Sequence, residues 1–197
     1  EHVLSKAKQI KDSVELEDGE VLPNVYLIHG ELTDKELSSL YNHDKVKVHI
    51  TFTKGEGFGR PLLEASLTGK PVIAPGWSGH MDFLNPEQTI LLGGELEDIH
   101  ESARWDTILI EGAKWMSVDP NMAATAMVEA LRNYKPWRAK ANKLAKVNKD
   151  NFNFRTTIKG EFIENIQLNH RFFLHEYFYL LLHLESYNFL HLHLLEH

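Results

Sequence analysis

The sequence predicts an α/β fold built on a parallel sheet, and three observations carry that expectation. The stretch Lys54–Ala74 reads as the end of a strand, a glycine loop, a short helix and the next strand, which is half of a parallel α/β unit. Just before it, Val46, Val48, Ile50 and Phe52 alternate with Lys47, His49, Thr51 and Thr53. That period of two marks a strand whose carboxyl end delivers the loop, although alternation is more typical of a half-exposed strand than of a parallel sheet's centre. Finally, 197 residues, 43% of them hydrophobic, suffice for one good core and a small appendage.

Taken in order, Glu1–Ser13 places Val3, Leu4, Ala7 and Ile10 at helical spacing with lysines opposite, an amphipathic helix. Val14–Pro23 is acidic and broken by Asp18-Gly19 and Pro23, a loop by composition. Val25–Ile28 reads as a short buried strand. Thr33 and Glu36 form a capping box that starts a helix to about Tyr41. After the Lys45–Thr53 strand and its loop, Pro61 suits a first helical turn, so a helix starts near Arg60 with Leu62, Leu63 and Leu67 as its stripe. Gly69 stops it, and Pro71 keeps Lys70 extended as Val72-Ile73-Ala74 begins a buried strand. Pro75–Gly79 is a second loop on the same sheet edge, opening a short helix through Leu84.

Further on, Thr89–Leu92 and Thr107–Ile110 look like strands, and Gly94–Trp105 between them is acidic and irregular. Asp119-Pro120 caps a helix through Met122, Met127, Val128 and Leu131, whose methionines read as core. Pro136 opens another helix to about Asp150 with Trp137, Ala141, Leu144 and Val147 on its stripe, and Asn153-Phe154 precedes a third.

The chemistry concentrates in the glycine loop. Gly55, Gly57 and Gly59 free the backbone, and a glycine loop feeding a helix presents unpaired N–H groups to a diphosphate or to sugar hydroxyls. Glu56 in the loop and Glu64 a turn into the helix supply two carboxylates for a polyhydroxylated ligand. Charge-assisted bonds of that kind contribute about 1.5–3 kcal/mol each in a dry site. Read alone, the same glycines could simply make a tight turn, Glu64 could be a solvated helix residue and Glu56 a loop charge. Arg60 divides evenly between contacting phosphate and pairing with a carboxylate. Trp77 reads as loop packing before base stacking, and His80 as a loop residue before a catalytic base.

Glu56 and Glu64, set in Glu-Gly-Phe-Gly-Arg-Pro-Leu-Leu-Glu-Ala and followed by Gly-Lys-Pro-Val-Ile-Ala, resemble the signature of retaining nucleotide-sugar glycosyltransferases of family 4, also called group 1. Gly79-His80-Met81-Asp82 resembles that family's glycine followed three residues later by an acid, with Asp82 in place of the usual Glu. Arg60 stands where the family has an aliphatic residue. The resemblance covers Glu1–Gln167 and implies the carboxyl-terminal, donor-binding half of the two-domain GT-B architecture: a Rossmann-like parallel sheet flanked by helices, with extra closing helices.

On that resemblance Glu56 would act catalytically on the transferred sugar's hydroxyls, and Glu64 would hold the ribose. Gly57, Phe58, Gly59, Arg60 and Gly79 would complete the donor site. The donor is a substrate, so no cofactor and no metal is implied. The family's diphosphate-binding Arg and Lys follow a strand that would precede Glu1, so the expectation is a chain lacking that strand and the acceptor-binding N-terminal domain, and inactive alone. A non-catalytic sugar-nucleotide module and a nucleotide-sugar epimerase are the alternatives.

A net charge of −7 argues against nucleic acid as a partner. The absence of Cys suits a reducing, cytoplasmic setting. Residues 168–197 form a second region, expected to be helical, that holds half of the twelve His residues among Leu, Phe and Tyr. It is too interrupted for a transmembrane span. Packing on the domain, a homodimer through this tail and peripheral membrane contact all remain compatible with it. His191-x-His193 has no supporting ligand framework for a metal, and Leu195-Glu196-His197 resembles the start of an expression tag, which marks the tail as a candidate for non-native sequence.

Overall fold

A computed structural model of the chain describes residues 2–18, 21–104, 112–152 and 179–183. The chain order is α1 (His2–Ser13), β1 (Asn24–Ile28), α2 (Asp34–Asn42), β2 (His49–Ile50), α3 (Arg60–Ser66), β3 (Val72–Pro75), β4 (Ile90–Leu92), β5 (Gly94–Asp98), β6 (Lys114–Val118), α4 (Pro120–Arg132), α5 (Tyr134–Asn151) and β7 (Tyr179–His183). Short 3-10 turns occupy Gly79–Asp82 and Glu101–Ala103. Contacts divide the chain into two units, one drawn from Glu1–Lys45 with Asn169–His197 and the other from Val46–Leu168.

In the first unit β1 pairs antiparallel with β7, Asn24 opposite His183 and Ile28 opposite Tyr179. Two expectations change here. The strand at Val25–Ile28 is present but is not buried: Val25 and Tyr26 are about half exposed. A strand buried on both faces needs layers on both sides, whereas an antiparallel ladder can leave one face to water. Second, Tyr179–His183 is a strand where a helix was expected, and its short apolar run Tyr-Leu-Leu-Leu suits strand length better than a helical stripe. The expected strand at Thr107–Ile110, the helix after Asn153 and His191-x-His193 lie outside the described residues.

The capping box of α2 forms as its sequence requires. The Glu36 backbone N–H donates to Thr33 Oγ1 at 3.3 Å, and the Thr33 N–H and hydroxyl donate to Glu36 Oε2 at 2.8 and 2.7 Å. Those two bonds, the hydroxyl's first, hold the Glu36 carboxyl below its ordinary pKa.

The second unit holds the parallel sheet, in the order β2-β3-β4. His49 lies opposite Val72, and Ile73 opposite Ile90. The sheet is flanked by helices and is compatible with a Rossmann-like fold. Ile73 and Leu92 form a core with Ala123, Ala126 and Ala130 of α4, joined by Val48, Ile90, Val118 and Met127. The alanines form the buried face; of the expected apolar residues Met122, Met127, Val128 and Leu131, Met127 joins the core while Met122 and Leu131 are exposed. Small side chains let the helix axis approach the sheet, which turns the longer ones outward. The strand expected over Lys45–Thr53 ladders only at His49–Ile50, with Thr51 N–H continuing the pairing to Ile73 O at 3.0 Å. Ile50 and Phe52 remain exposed, as suits an edge position. No described helix is long and apolar enough to cross a membrane.

α3 packs on β3 and on α5. The buried face of α5 is Ala141, Leu144, Ala145 and Asn148; Val147, expected on that stripe, is exposed. Asn148 is buried, and its Nδ2 donates to Ser66 Oγ at 2.8 Å and to Phe83 O at 3.2 Å. One amide thus joins α5 to the end of α3 and to the segment after the second loop.

Two outcomes follow from these contacts. Asn148→Ala should lower stability by about 1–3 kcal/mol, because it orphans buried polar groups; urea denaturation measures this. For Glu36 the folded pKa lies below the unfolded one, so its stabilisation is present above the unfolded pKa and lost as pH falls through the folded value. Exchange protection of the Thr33 amide should therefore persist at neutral pH and fade on that acid limb, and Glu36→Gln should remove the pH dependence.

Candidate functional site

The two loops expected to form the site lie at the carboxyl ends of adjacent parallel strands. β2 leads through Thr51–Thr53 into Lys54–Gly59, and β3 leads into Gly76–Ser78. In open parallel sheets that edge is where ligands bind.

The loops are joined backbone to backbone. Ser78 Oγ accepts from the Glu56 N–H at 3.0 Å and donates to Glu56 O at 2.6 Å, and Gly79 N–H donates to the same carbonyl at 3.0 Å. A Cβ on Gly79 would overlap the carbonyl of Gly57 and would sit 2.9 Å from that of Glu56. Gly79 is therefore required for loop packing, a role distinct from the ligand contact the resemblance implies. Gly59 caps α3 in the left-handed region, φ 82°, and a Cβ there would meet His80 Cβ at 3.0 Å. By contrast a Cβ on Gly57 would meet nothing within 4 Å.

Phe58 is the loop's apolar anchor. Its ring lies 5.2 Å from Phe83 and 6.1 Å from Phe152, and those two are 6.0 Å apart. Tilted and edge-on arrangements of this kind contribute beyond area burial. Phe58 consequently has a packing role wherever its N–H points.

The two carboxylates differ. Glu56 is half-buried, and its side chain has no hydrogen-bond or ion-pair partner among the described residues. Glu64 is paired: Arg60 Nε donates to its Oε1 at 2.7 Å across one helical turn. A pair this exposed adds about 0.3–0.5 kcal/mol, weak enough for a ligand to displace. Arg60 here pairs with a carboxylate, one of the two roles its position offers.

His80 is fully buried. Its Nε2 lies 2.6 Å from Pro75 O, and because a carbonyl only accepts, Nε2 must carry a proton; Nδ1 is buried without a partner. The ring supports the second loop from beneath and is not presented as a base. Trp77 is partly exposed, and its indole nitrogen is 3.9 Å from where a Gly55 Cβ would stand.

A pair of antiparallel strands, the first lying in the Gly94–Trp105 stretch expected to be irregular, flanks the loop. β5 pairs antiparallel with β6, Gly94 opposite Val118 and Asp98 opposite Lys114. Met116 N–H donates to Lys54 O at 2.9 Å, and Lys54 Nζ lies 4.1 Å over the Trp115 ring and 3.9 Å from Glu97. The available signal was the short run Trp115-Met116-Ser117-Val118 of strand-compatible residues, its partner strand being obscured by the charges of Glu95, Glu97 and Asp98. The other residue missed was Ser78, whose signal was a short hydroxyl preceding a glycine in a turn.

A separate groove of about 300 Å³ lies at the far end of α3, between Thr68 and Gly69 on one side and Asn142, Lys146 and Lys149 of α5 on the other. Among the described residues no three His, Asp or Glu side chains converge as a metal site would require.

These contacts set a contrast between two glycines. Gly79→Ala should cost about 1–3 kcal/mol by forcing the loops apart, whereas Gly57→Ala should stay within about 1 kcal/mol; equilibrium denaturation of the two variants distinguishes them. Compared with known protein families, curated proteins and solved structures, the chain matches none.

Proposed function

We propose that the Val46–Leu168 unit is the donor-binding half of a retaining glycosyltransferase of GT-B architecture, taking a nucleotide-diphosphate sugar. The observation that carries this reading is Glu56: a carboxylate without a partner among the described residues, on a glycine loop at the carboxyl edge of a parallel sheet. The resemblance of Glu56–Ala65 and Gly79–Asp82 to family 4 supplies the chemistry. Glu56 binds the transferred sugar's hydroxyls and Glu64, released from Arg60, binds the ribose. The N–H groups of Gly57, Phe58 and Gly59, with Gly79 nearby, face the sugar or diphosphate.

In the proposed reaction the bond from the anomeric carbon to the diphosphate oxygen breaks as the acceptor oxygen bonds on the same face. The acceptor's proton passes to the departing diphosphate, so no protein nucleophile, metal or further cofactor is called for. A facing domain supplies the acceptor and closes over the donor, excluding water and aligning the reactants. The setting is cytoplasmic. Without a facing domain, the unit would bind its donor weakly and transfer negligibly.

Ligand-observed NMR titration of UDP, GDP and ADP against the chain and its Glu64→Ala variant tests the proposal. One nucleotide is expected to bind at the order of mM, about 4 kcal/mol, and to be lost in the variant. Binding of none would reject the donor-site assignment. Detectable transfer by this chain alone, abolished in Glu56→Ala, would overturn the division of labour between two domains.

A further inference from the structure

Ser78 is the only non-glycine among the described residues with a positive φ, at φ 82° and ψ −166°. That region belongs essentially to glycine, and strain of this kind persists only where surrounding contacts impose it. Here the imposing contacts are visible. The hydroxyl donates to the Glu56 carbonyl at 2.6 Å and accepts from the Glu56 N–H at 3.0 Å, and the next residue's N–H reaches the same carbonyl. Three hydrogen bonds from two consecutive residues hold the backbone of Glu56 alone, while its carboxylate has no partner among the described residues.

The alternatives at this position show what serine achieves. Glycine would adopt the same backbone without strain and leave the Glu56 N–H unpaired. Alanine would keep the strain and make neither side-chain bond. Only a short side chain carrying both a donor and an acceptor satisfies the two ends of Glu56 at once. The strain is thus accepted in return for a fixed Glu56.

We infer that Ser78 is a positioning residue: it aims the Glu56 carboxylate at the sugar of the donor and thereby sets discrimination between a nucleotide sugar and the bare nucleoside diphosphate. The inference rests on the donor-site reading and adds to it. The hydroxyl touches neither Glu64 nor α3, so the nucleotide end of the ligand is outside its influence.

The test measures affinities of the full chain for UDP-glucose, GDP-mannose and ADP-glucose, each beside its own diphosphate, in wild type, Ser78→Gly and Ser78→Ala. Both variants should lose about fivefold of affinity for the matched nucleotide sugar, the worth of one neutral hydrogen bond, and bind the diphosphate as wild type does. Melting temperatures should separate them, Ser78→Ala lying below Ser78→Gly because only alanine retains the strain. A structural role alone would move affinity in step with melting temperature and would weaken sugar-bearing and bare nucleotides equally; that result overturns the inference. So does a Ser78→Gly variant that binds the nucleotide sugar as tightly as wild type while wild type binds normally, and the donor reading then survives. If wild type binds none of the six ligands, the donor reading falls and the inference with it.

Discussion

The backbones of Gly57 and Gly79 meet with no room for a single carbon between them, and the arrangement of the candidate site depends on that contact. It brings the loop after β2 against the loop after β3. The pairing then lets Ser78 reach both ends of the Glu56 peptide. Neither loop would hold its course alone: the first is rich in glycine, and the second contains a serine in a conformation it would not adopt freely. Each supplies what the other lacks, a carbonyl to accept on one side and a hydroxyl to bridge on the other.

The surrounding structure serves to hold this junction still. Beneath it, Ile73 and Leu92 pack on the alanine face of α4 and fix the edge from which both loops emerge. To one side the Phe58, Phe83 and Phe152 rings lock the tip of the first loop to the segment after the second. Asn148 then ties that segment to α3 and α5 through a buried amide. On the other side Lys54 is held by its carbonyl to Met116 and by its ammonium over Trp115. The loop is thus anchored at its base, its tip and its midpoint, and among the described residues the Glu56 carboxylate alone is left without a part in that anchoring.

Much of the candidate site was legible in the residues. The glycine loop, a helix opening at Arg60, the stop at Gly69 and the buried strand from Val72 all follow from local rules about φ, proline and apolar runs. The capping box at Thr33 and the cap at Asp119 are equally local. Where the reading differed, long-range packing had decided. The apolar pattern of α4 named its large residues, yet close approach to the sheet selected Ala123, Ala126 and Ala130. The β5–β6 hairpin was hidden because its exposed face carries charges in place of a hydrophobic alternation.

By itself the sequence determined the local turns, the caps and the parallel unit from Lys54 to Ala74, because those depend on neighbours within about one helical turn or one strand. Tertiary structure decided what each of them does. That Gly79 makes room, that His80 is a buried support and that Glu56 has no side-chain partner among the described residues cannot be read from spacing. The reason is physical. The junction itself arises from contacts across more than twenty residues, as between Glu56 and Ser78, and only the folded backbone brings those groups within hydrogen-bond reach.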